Sequence, residues 1–468
     1  MFNDHLTLLC KGILQKCFII LISKNVRVKR YRKWGRESMK KLIVLSADAL
    51  ASEDLGYLST LPNYRNYLEG GCRVEKVRSV YPTITYPCHT TMITGVYPDK
   101  HKVPGNFEFH PGQTKDLPWL WDCQWNRWQN DIFKSAKRGG YHTAAVFWPV
   151  TGNHPAIDDL IDEYWIQDSS DTPRAAYARM GSDERMLKIV EKNMKGKQRL
   201  FHPELDQFIV DCACDVIRQC RPDVLFLHPA DIDAARHQYG VFNDRVTEAV
   251  KKTDDYIGQI MGAVEEIGAL EETNLVLTSD HGQMDIKRVF HLNVLLADHG
   301  FIKMDDQGRM TDYDAWCLSG GMSALIFLKD PDNQEKWEEM YRFLQHLCQE
   351  GIYGISQVFT REEAKRLHHL DGEFSFVVET DGFTSFGDSY QRPIVTNLTN
   401  EDYRYGQATH GYLPEKGIQP VFVAKGPDFR ENVLLKEARL IDEAPTLAKL
   451  LGVSLDGADG KPLDELLK

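Results

Sequence analysis

The sequence predicts an α/β protein in which a mostly parallel sheet is sandwiched by helices, with a smaller α+β subdomain. Three observations predict it. The apolar runs LIVLS, VLFL and NLVLTS, beginning near Lys41, Val224 and Asn274, have the continuous character of central strands covered on both faces. Each run leads straight into carboxylates: Asp48, then Asp231 and Asp233, then Asp280. Between Lys287 and about Gln407 the pattern weakens and becomes a mixture of short strands and helices. Open parallel sheets bind ligands at the carboxyl ends of their strands, so the repeated strand-end carboxylates point to one site.

The elements follow in chain order. LIVLS is the first strand, the segment around Leu61 to Leu68 is helical in pattern, and VEKVRSVYP returns as a second strand. A turn and helix follow around Thr85, and VYPDKHKVPGNFEF is a loop ending near Asn106. A basic helix from Asp131 passes through the Gly139-Gly140 stop into the strand YHTAAVFWP. Residues 168–198 are charged and helical, Leu205 to Cys220 is a helix, and the strand Val224 to Leu227 is followed by Asp231, Asp233 and His237. An amphipathic helix from Asn243 to Ile267 feeds NLVLTS and then Asp280-His281, where Gly282 turns the chain. SALIFL and FSFVVE look like strands of the subdomain, and DNQEKWEEMYRFLQHLCQ and REEAKRLHHL like its helices. QATHGYLP, the strand QPVFVAKG and the helix APTLAKLLG close the chain. The expected organisation is a catalytic core of residues 39–286 and 408–468 with residues 287–407 inserted.

At 468 residues the chain has room for one large α/β domain with an insertion, or for two ordinary domains. Hydrophobic content of 42% and charged content of 26% are those of a soluble globular protein. A formal net charge of −12 argues against binding a nucleic-acid polymer, whose phosphates would be repelled. An acidic enzyme can still bind a small phosphate ester where metal ions supply positive charge locally. In the first 38 residues Lys11 and Lys16 interrupt the apolar stretch, and VRVKRYRKW follows it. That stretch is too short for a membrane span and lacks a small-residue cleavage site. Met39 then opens MKKLIVLSADAL, so the expectation is a start at Met39, a non-native or disordered, dispensable extension over residues 1–38, no membrane association and a cytoplasmic location. Ten cysteines at irregular spacing form no disulfide or zinc framework. Cys212, Cys214 and Cys220 lack a second ligand pair at zinc-site spacing and read as free thiols.

The stretch Tyr81 to Gly95, YPTITYPCHTTMITG, is where the chemistry is expected. Proline is tolerated in the first helical turn and pushes the preceding residue out of helical geometry, so Pro87 reads as the helix start, with Thr85 and Tyr86 just outside. The Thr85 hydroxyl then sits where unpaired N–H groups and the helix dipole favour an anion or an ionised oxygen. A capping role is the simpler account of one such threonine. Its companions argue against that account: Asp48, Asn106, Asp233, His237, Asp280, His281 and His410 all fall at strand ends or in the loops beside them. Carboxylate with imidazole is the ligand chemistry of zinc and similar divalent ions. Three carboxylates and three imidazoles suffice for two ions, an arrangement able to clamp the attacking and leaving oxygens of a displacement at phosphorus.

With these residues in hand, the chain from Met39 to Leu463 resembles the nucleotide pyrophosphatase/phosphodiesterase family of the alkaline phosphatase superfamily. The resemblance is carried by the strand ending in Asp48, TYPCHTTMITGVYPDKH, Gly105-Asn106, FWP at Phe147 to Pro149, DIDAARH, TSDHGQM, THGYLP and APTLAKLLG. It implies an alkaline phosphatase-like core and a metal-dependent hydrolase of phosphodiester or pyrophosphate bonds in nucleotides or related small molecules. It implies Thr85 as nucleophile, with Asp48, Asp280 and His281 as ligands of the ion that activates it. Asp233, His237 and His410 would hold the second ion, and Asn106 would donate to a phosphoryl oxygen. The implied ions are two divalent metals, zinc first and manganese or another ion as alternatives, with Thr85 also touching the metal site. The implied intermediate is a phosphoryl-threonine. The chain departs from the family at Cys88, where Asn is usual, and at KVPG before Asn106. A sulfatase would need CxPxR, whereas this chain has CHTTM. A phosphomonoesterase or phosphonate hydrolase, and an inactive ligand-binding homologue, remain the alternatives. Tyr86, Phe107, Phe109, Phe147 and Trp148 are candidate apolar walls, and Lys100 and Lys102 candidate cations. His89, His228, His291, His368 and His369 read as surface or satisfied core histidines.

Overall fold

Strand β1 (Lys41–Ser46) lies at the centre of an eight-stranded sheet, and its residues from Leu42 onward are buried. The computed structural model describes residues 39–166 and 170–468. The expectation of a dispensable extension falls on residues 1–38, outside the described residues. β1 pairs in parallel with β6 (Thr273–Thr278) on one side and with β5 (Val224–Leu227) on the other. β3 (Thr143–Val146) and β4 (Asp159–Ile161) continue the parallel array beyond β5. Beyond β6 come Phe422–Lys425, β2 (Cys72–Arg78) and Leu434–Arg439 at the edge. Only Phe422–Lys425 runs against the others in this sheet. The continuous Val, Leu and Ile runs suit these central positions because helices cover both faces.

The Glu204–Cys220 and Asp244–Glu266 helices bury an apolar stripe against this sheet, including Phe208, Val216, Ile257 and Val264. The 23-residue Asp244–Glu266 helix is capped by Asn243, whose side chain accepts from the backbone of Arg245 and Val246. The eight described cysteines are all free thiols.

A second sheet of four antiparallel strands, in the order Ala315–Ser319, Ser323–Leu328, Phe376–Thr380, Ile355–Thr360, is built from the later part of the chain. The Gln334–Glu350 helix buries Met340, Leu344 and Leu347 in a core shared with Ile326 and Phe376. Alternation along Ser323–Leu328 turns Leu325 and Phe327 to the other face, where they join Tyr81, Leu318 and Leu413. That face looks toward the Thr85 segment. The strand Leu434–Arg439 (LLKEAR) is absent from the sequence reading because its charged residues suit an exposed sheet edge and show no alternation that marks a strand.

Candidate active site

Three neighbouring strands deliver the charged residues. Asp48 follows β1, and Asp280 and His281 follow β6. β5 leads into the Asp231–Tyr239 helix, on which Asp233 and His237, four residues apart, share one face. His237 Nε2 lies 3.2 Å from Asp233 Oδ2. His410 follows Ala408–Thr409, a short strand paired with Met284–Asp285 just beyond His281. Two donor sets result, Asp48 with Asp280 and His281, and Asp233 with His237 and His410. In each, ligand atoms from all three residues lie within 4.8 Å of one another. The His281 and His410 rings are 4.1 Å apart, so the sets adjoin.

Thr85 Oγ1 is 3.2 Å from His281 Nε2, which is itself 3.1 Å from Asp280 Oδ2 and 3.5 Å from Asp48 Oδ1. The helix start differs from the expectation at Pro87. The helix runs Thr85–Thr94 with Ile84 as its extended cap, which makes Thr85 the first helical residue and Pro87 the third. The first four N–H groups of a helix have no partner within it, so a proline there breaks no bond. Thr85 keeps its place at the helix N-terminus.

Asp48 Oδ1, Asp280 Oδ2, His237 Nε2 and His410 Nδ1 are buried without a hydrogen-bond partner. Buried polar atoms are ordinarily paired, and this concentration of orphaned oxygen and nitrogen ligands fits divalent cations. The electrostatics agree. Burial, then the charges of Asp233 and Asp280, push the Asp48 carboxyl well above its usual range, as expected where a counter-charge is needed. Burial, then His281, hold His410 well below the usual imidazole range, in the neutral form that ligates metal.

Neighbouring groups orient these ligands. A carbonyl can only accept, so His237 Nδ1, 2.7 Å from Ala408 O, carries the proton and leaves the Nε2 lone pair facing Asp233. Ala49 N donates to Asp280 Oδ1, and Gln283 Nε2 donates to Asp233 Oδ1. His228, expected to be a surface or satisfied core histidine, instead places Nε2 3.1 Å from Asp48 Oδ2 and holds that carboxylate. His89 matches the expectation, with Nδ1 on Thr85 O and Nε2 on Ser46 Oγ.

Asn106 Oδ1 accepts from Tyr86 N at 3.0 Å, which leaves Nδ2 to donate. Nδ2 is 3.4 Å from the hydroxyl of Tyr403, a residue the sequence reading misses because it opens a three-residue 3₁₀ turn, Tyr403–Tyr405, with no periodicity or motif. Tyr403 also places its ring edge-on to His237 and parallel to His410. With Phe107, Trp119, Phe147 and Trp165 it walls a cavity of about 600 Å³ that reaches Asp48, Thr85, Asp233 and His410. Tyr86 and Trp148 are not walls. Both are fully buried, Tyr86 against Trp119 and Trp148 against His89 and Phe226. Lys100 pairs with Asp459 and Lys102 with Asp371, so neither is free to meet a substrate anion. Cys88 is a buried helix residue whose sulfur contacts Ser79 Oγ.

Glycines after His281 and His410 let the chain pass close to its neighbours. A Cβ at Gly282 would lie 2.1 Å from Ile418 O, and one at Gly411, whose φ is +100°, would lie 2.1 Å from Gly320 O. Gly411→Ala is therefore expected to cost about 1–3 kcal/mol of stability through overpacking. It is also expected to loosen His410. Denaturant unfolding together with metal content checks this, and an unchanged midpoint contradicts it.

Comparison with known proteins follows the same lines. Residues 42–413 match the model of the type I phosphodiesterase / nucleotide pyrophosphatase family. Human ectonucleotide pyrophosphatase/phosphodiesterase family member 1 is 25% identical over 434 residues, covering 82% of this chain and 42% of that protein. The chain thus spans less than half the length of that relative. Human bis(5'-adenosyl)-triphosphatase ENPP4 is 24% identical over 453 residues, covering 94% of this chain and 84% of that protein. Among solved structures, an inactive murine ectonucleotide pyrophosphatase / phosphodiesterase 5 in complex with AMP matches with a TM-score of 0.62 and 20% identity, over 92% of this chain and 100% of that one. The shared fold is alkaline phosphatase-like. On the family match across most of its length, the chain belongs to the type I phosphodiesterase / nucleotide pyrophosphatase family.

Proposed function

We propose that this protein hydrolyses phosphodiester or pyrophosphate bonds of nucleotides or related small molecules, with Thr85 as nucleophile. The observation that carries this is the Thr85 hydroxyl at a helix N-terminus, 3.2 Å from His281 and beside two ligand sets with orphaned buried atoms. The relatives' names, nucleotide pyrophosphatase/phosphodiesterase and bis(5'-adenosyl)-triphosphatase, support the substrate class. Two divalent ions, zinc first among the candidates, would lower the pKa of the Thr85 hydroxyl and screen the departing oxygen when bound.

The chain's own residues do the rest. The Thr85 Oγ1–phosphorus bond forms as the bond from phosphorus to the leaving oxygen breaks, the hydroxyl giving up its proton to water and the leaving oxygen taking one up, which gives a phosphoryl-threonine that still carries the second substituent. Water then attacks phosphorus, the bond to Oγ1 breaks, and a monoester is released. Asn106, its amide oriented by Tyr86 N, donates through Nδ2 to a non-bridging oxygen as charge develops there. The aromatic cavity walls exclude water from the organic part of the substrate.

A phosphomonoesterase on the same scaffold is the second reading, and the charges around the site disfavour it. A monoester dianion needs extra positive charge around its third oxygen. Arg404, which lines the cavity, is held by Asp388 and Asp402, and Arg199 is exposed and rests over the Phe201 ring. The expected kcat/KM for a nucleotide-derived diester exceeds that for the matching monoester by at least tenfold, about 1.4 kcal/mol of transition-state discrimination. A tenfold preference for the monoester on the same metal-loaded preparation would transfer the assignment to the phosphomonoesterase.

A further inference from the structure

A phosphodiester has two organic substituents, and two cavities meet beside Thr85. The second, of about 570 Å³, shares Asn106, Phe107 and Tyr403 with the cavity that holds the ligand sets. It opens on Ile84, the residue immediately before the nucleophile. We propose that this second cavity seats an apolar substituent of the substrate, an aryl or alkyl group on one of the ester oxygens. The proposal rests on the phosphodiesterase reading of the site and extends it to a substrate class.

Its walls come from two parts of the chain. Phe107 and Phe109 lie on the loop after Asn106, while Leu318, Leu325 and Phe327 belong to the four-stranded sheet face opposite the Gln334–Glu350 helix. Phe109 stacks on Phe327 with ring centres 3.9 Å apart and 17° between planes, which gives one end a flat aromatic surface. The other end is closed by the turn after Ala315–Ser319. A Cβ at Gly320 would lie 2.8 Å from Ile84 Cδ1, so this turn packs directly on the residue before Thr85.

The charges at the rim favour an uncharged occupant over a second phosphate. Lys102 and Arg361 both bind the Asp371 carboxylate, at 2.5 and 2.6 Å, and His110 pairs with Glu108 at 3.2 Å. Arg127, exposed, stands at the mouth. A substituent of phosphorus on the Asn106 side therefore meets aromatic and aliphatic surface, with the rim cations largely neutralised. Binding of an aryl group there is driven by apolar area removed from water.

The test measures binding on the metal-loaded Thr85→Ala protein, so that nothing turns over during the titration. Calorimetry with diphenyl phosphate and dimethyl phosphate is expected to show the aryl diester binding at least tenfold more tightly. Adding Phe109→Ala, and separately Leu325→Ala from the facing wall, should weaken diphenyl phosphate at least fivefold and leave dimethyl phosphate within twofold. Thermal melts confirm that each variant is folded, and Phe109, half-buried on a loop, is the safer of the two. The proposal is overturned if diphenyl phosphate shows no advantage, or if both folded variants bind it within twofold of the parent. The phosphodiesterase reading fails by a different result, the absence of turnover of methyl p-nitrophenyl phosphate by the unsubstituted protein, and the binding data stand apart from it.

Discussion

Replacing Thr85 by alanine is expected to lower kcat/KM for a diester by roughly 10³-fold or more, the loss typical of deleting an attacking nucleophile. The fold should tolerate the change. Thr85 is the first residue of its helix, its cap position belongs to Ile84, and its hydroxyl contacts His281. Metal content should also stay close to that of the parent, because Asp48, Asp280 and His281 remain in place. Thr85→Ser keeps a hydroxyl on the same backbone and should retain measurable turnover, reduced because the lost methyl frees the side chain to rotate. Trapping a phosphorylated threonine at low pH in the parent, and its absence in the alanine variant, gives a second readout. Near-normal turnover by the alanine variant would rule out a covalent threonine intermediate and leave direct attack by water.

Much of this site was legible because the chemistry sits where backbone pattern is strongest. LIVLS, VLFL and NLVLTS are buried along their length and mostly apolar because β1, β5 and β6 are neighbours at the centre of the sheet, and the carboxylates mark where each strand leaves the core. The DxxxH spacing of Asp233 and His237 survives as one helix face. What stayed hidden depends on contacts between residues distant in sequence. Tyr403 meets Asn106 across 297 positions, and His228 meets Asp48 across 180, with no local pattern that announces either contact. The helix start at Thr85 instead of Pro87 has a local cause, since proline is compatible with any of the first-turn positions and does not select one. Trp148 looked like a cavity wall because an aromatic residue at the end of a strand can face either the ligand or the core, and here it packs on Phe226.

Removing the divalent ions is expected to have the second large effect, and it separates the electrostatic role of the ligand sets from the role of the nucleophile. Asp48 and Asp280 are buried close to the half-buried Asp233, and burial together with neighbouring carboxylates already disfavours the ionised form of Asp48. A cation that binds the native state adds stability by mass action, about 4 kcal/mol when its free concentration is a thousand times Kd. Treatment with a chelator should therefore lower the melting temperature as well as abolish turnover, and added zinc should restore both. Asp280→Ala removes one ligand next to the nucleophile and should lower kcat/KM roughly 10³-fold, the order expected when several kcal/mol of charge stabilisation is lost at phosphorus. Retention of metal should weaken as pH falls, because protons compete with a bound cation for its carboxylate and imidazole ligands. The contrast with Thr85→Ala is the decisive feature. That variant should lose turnover with its metal content and melting temperature nearly intact, whereas Asp280→Ala should lose turnover together with metal. Full activity after exhaustive chelation, with metal analysis reading zero, would show that phosphorus is attacked here without cation assistance and would return the two ligand sets to a structural role.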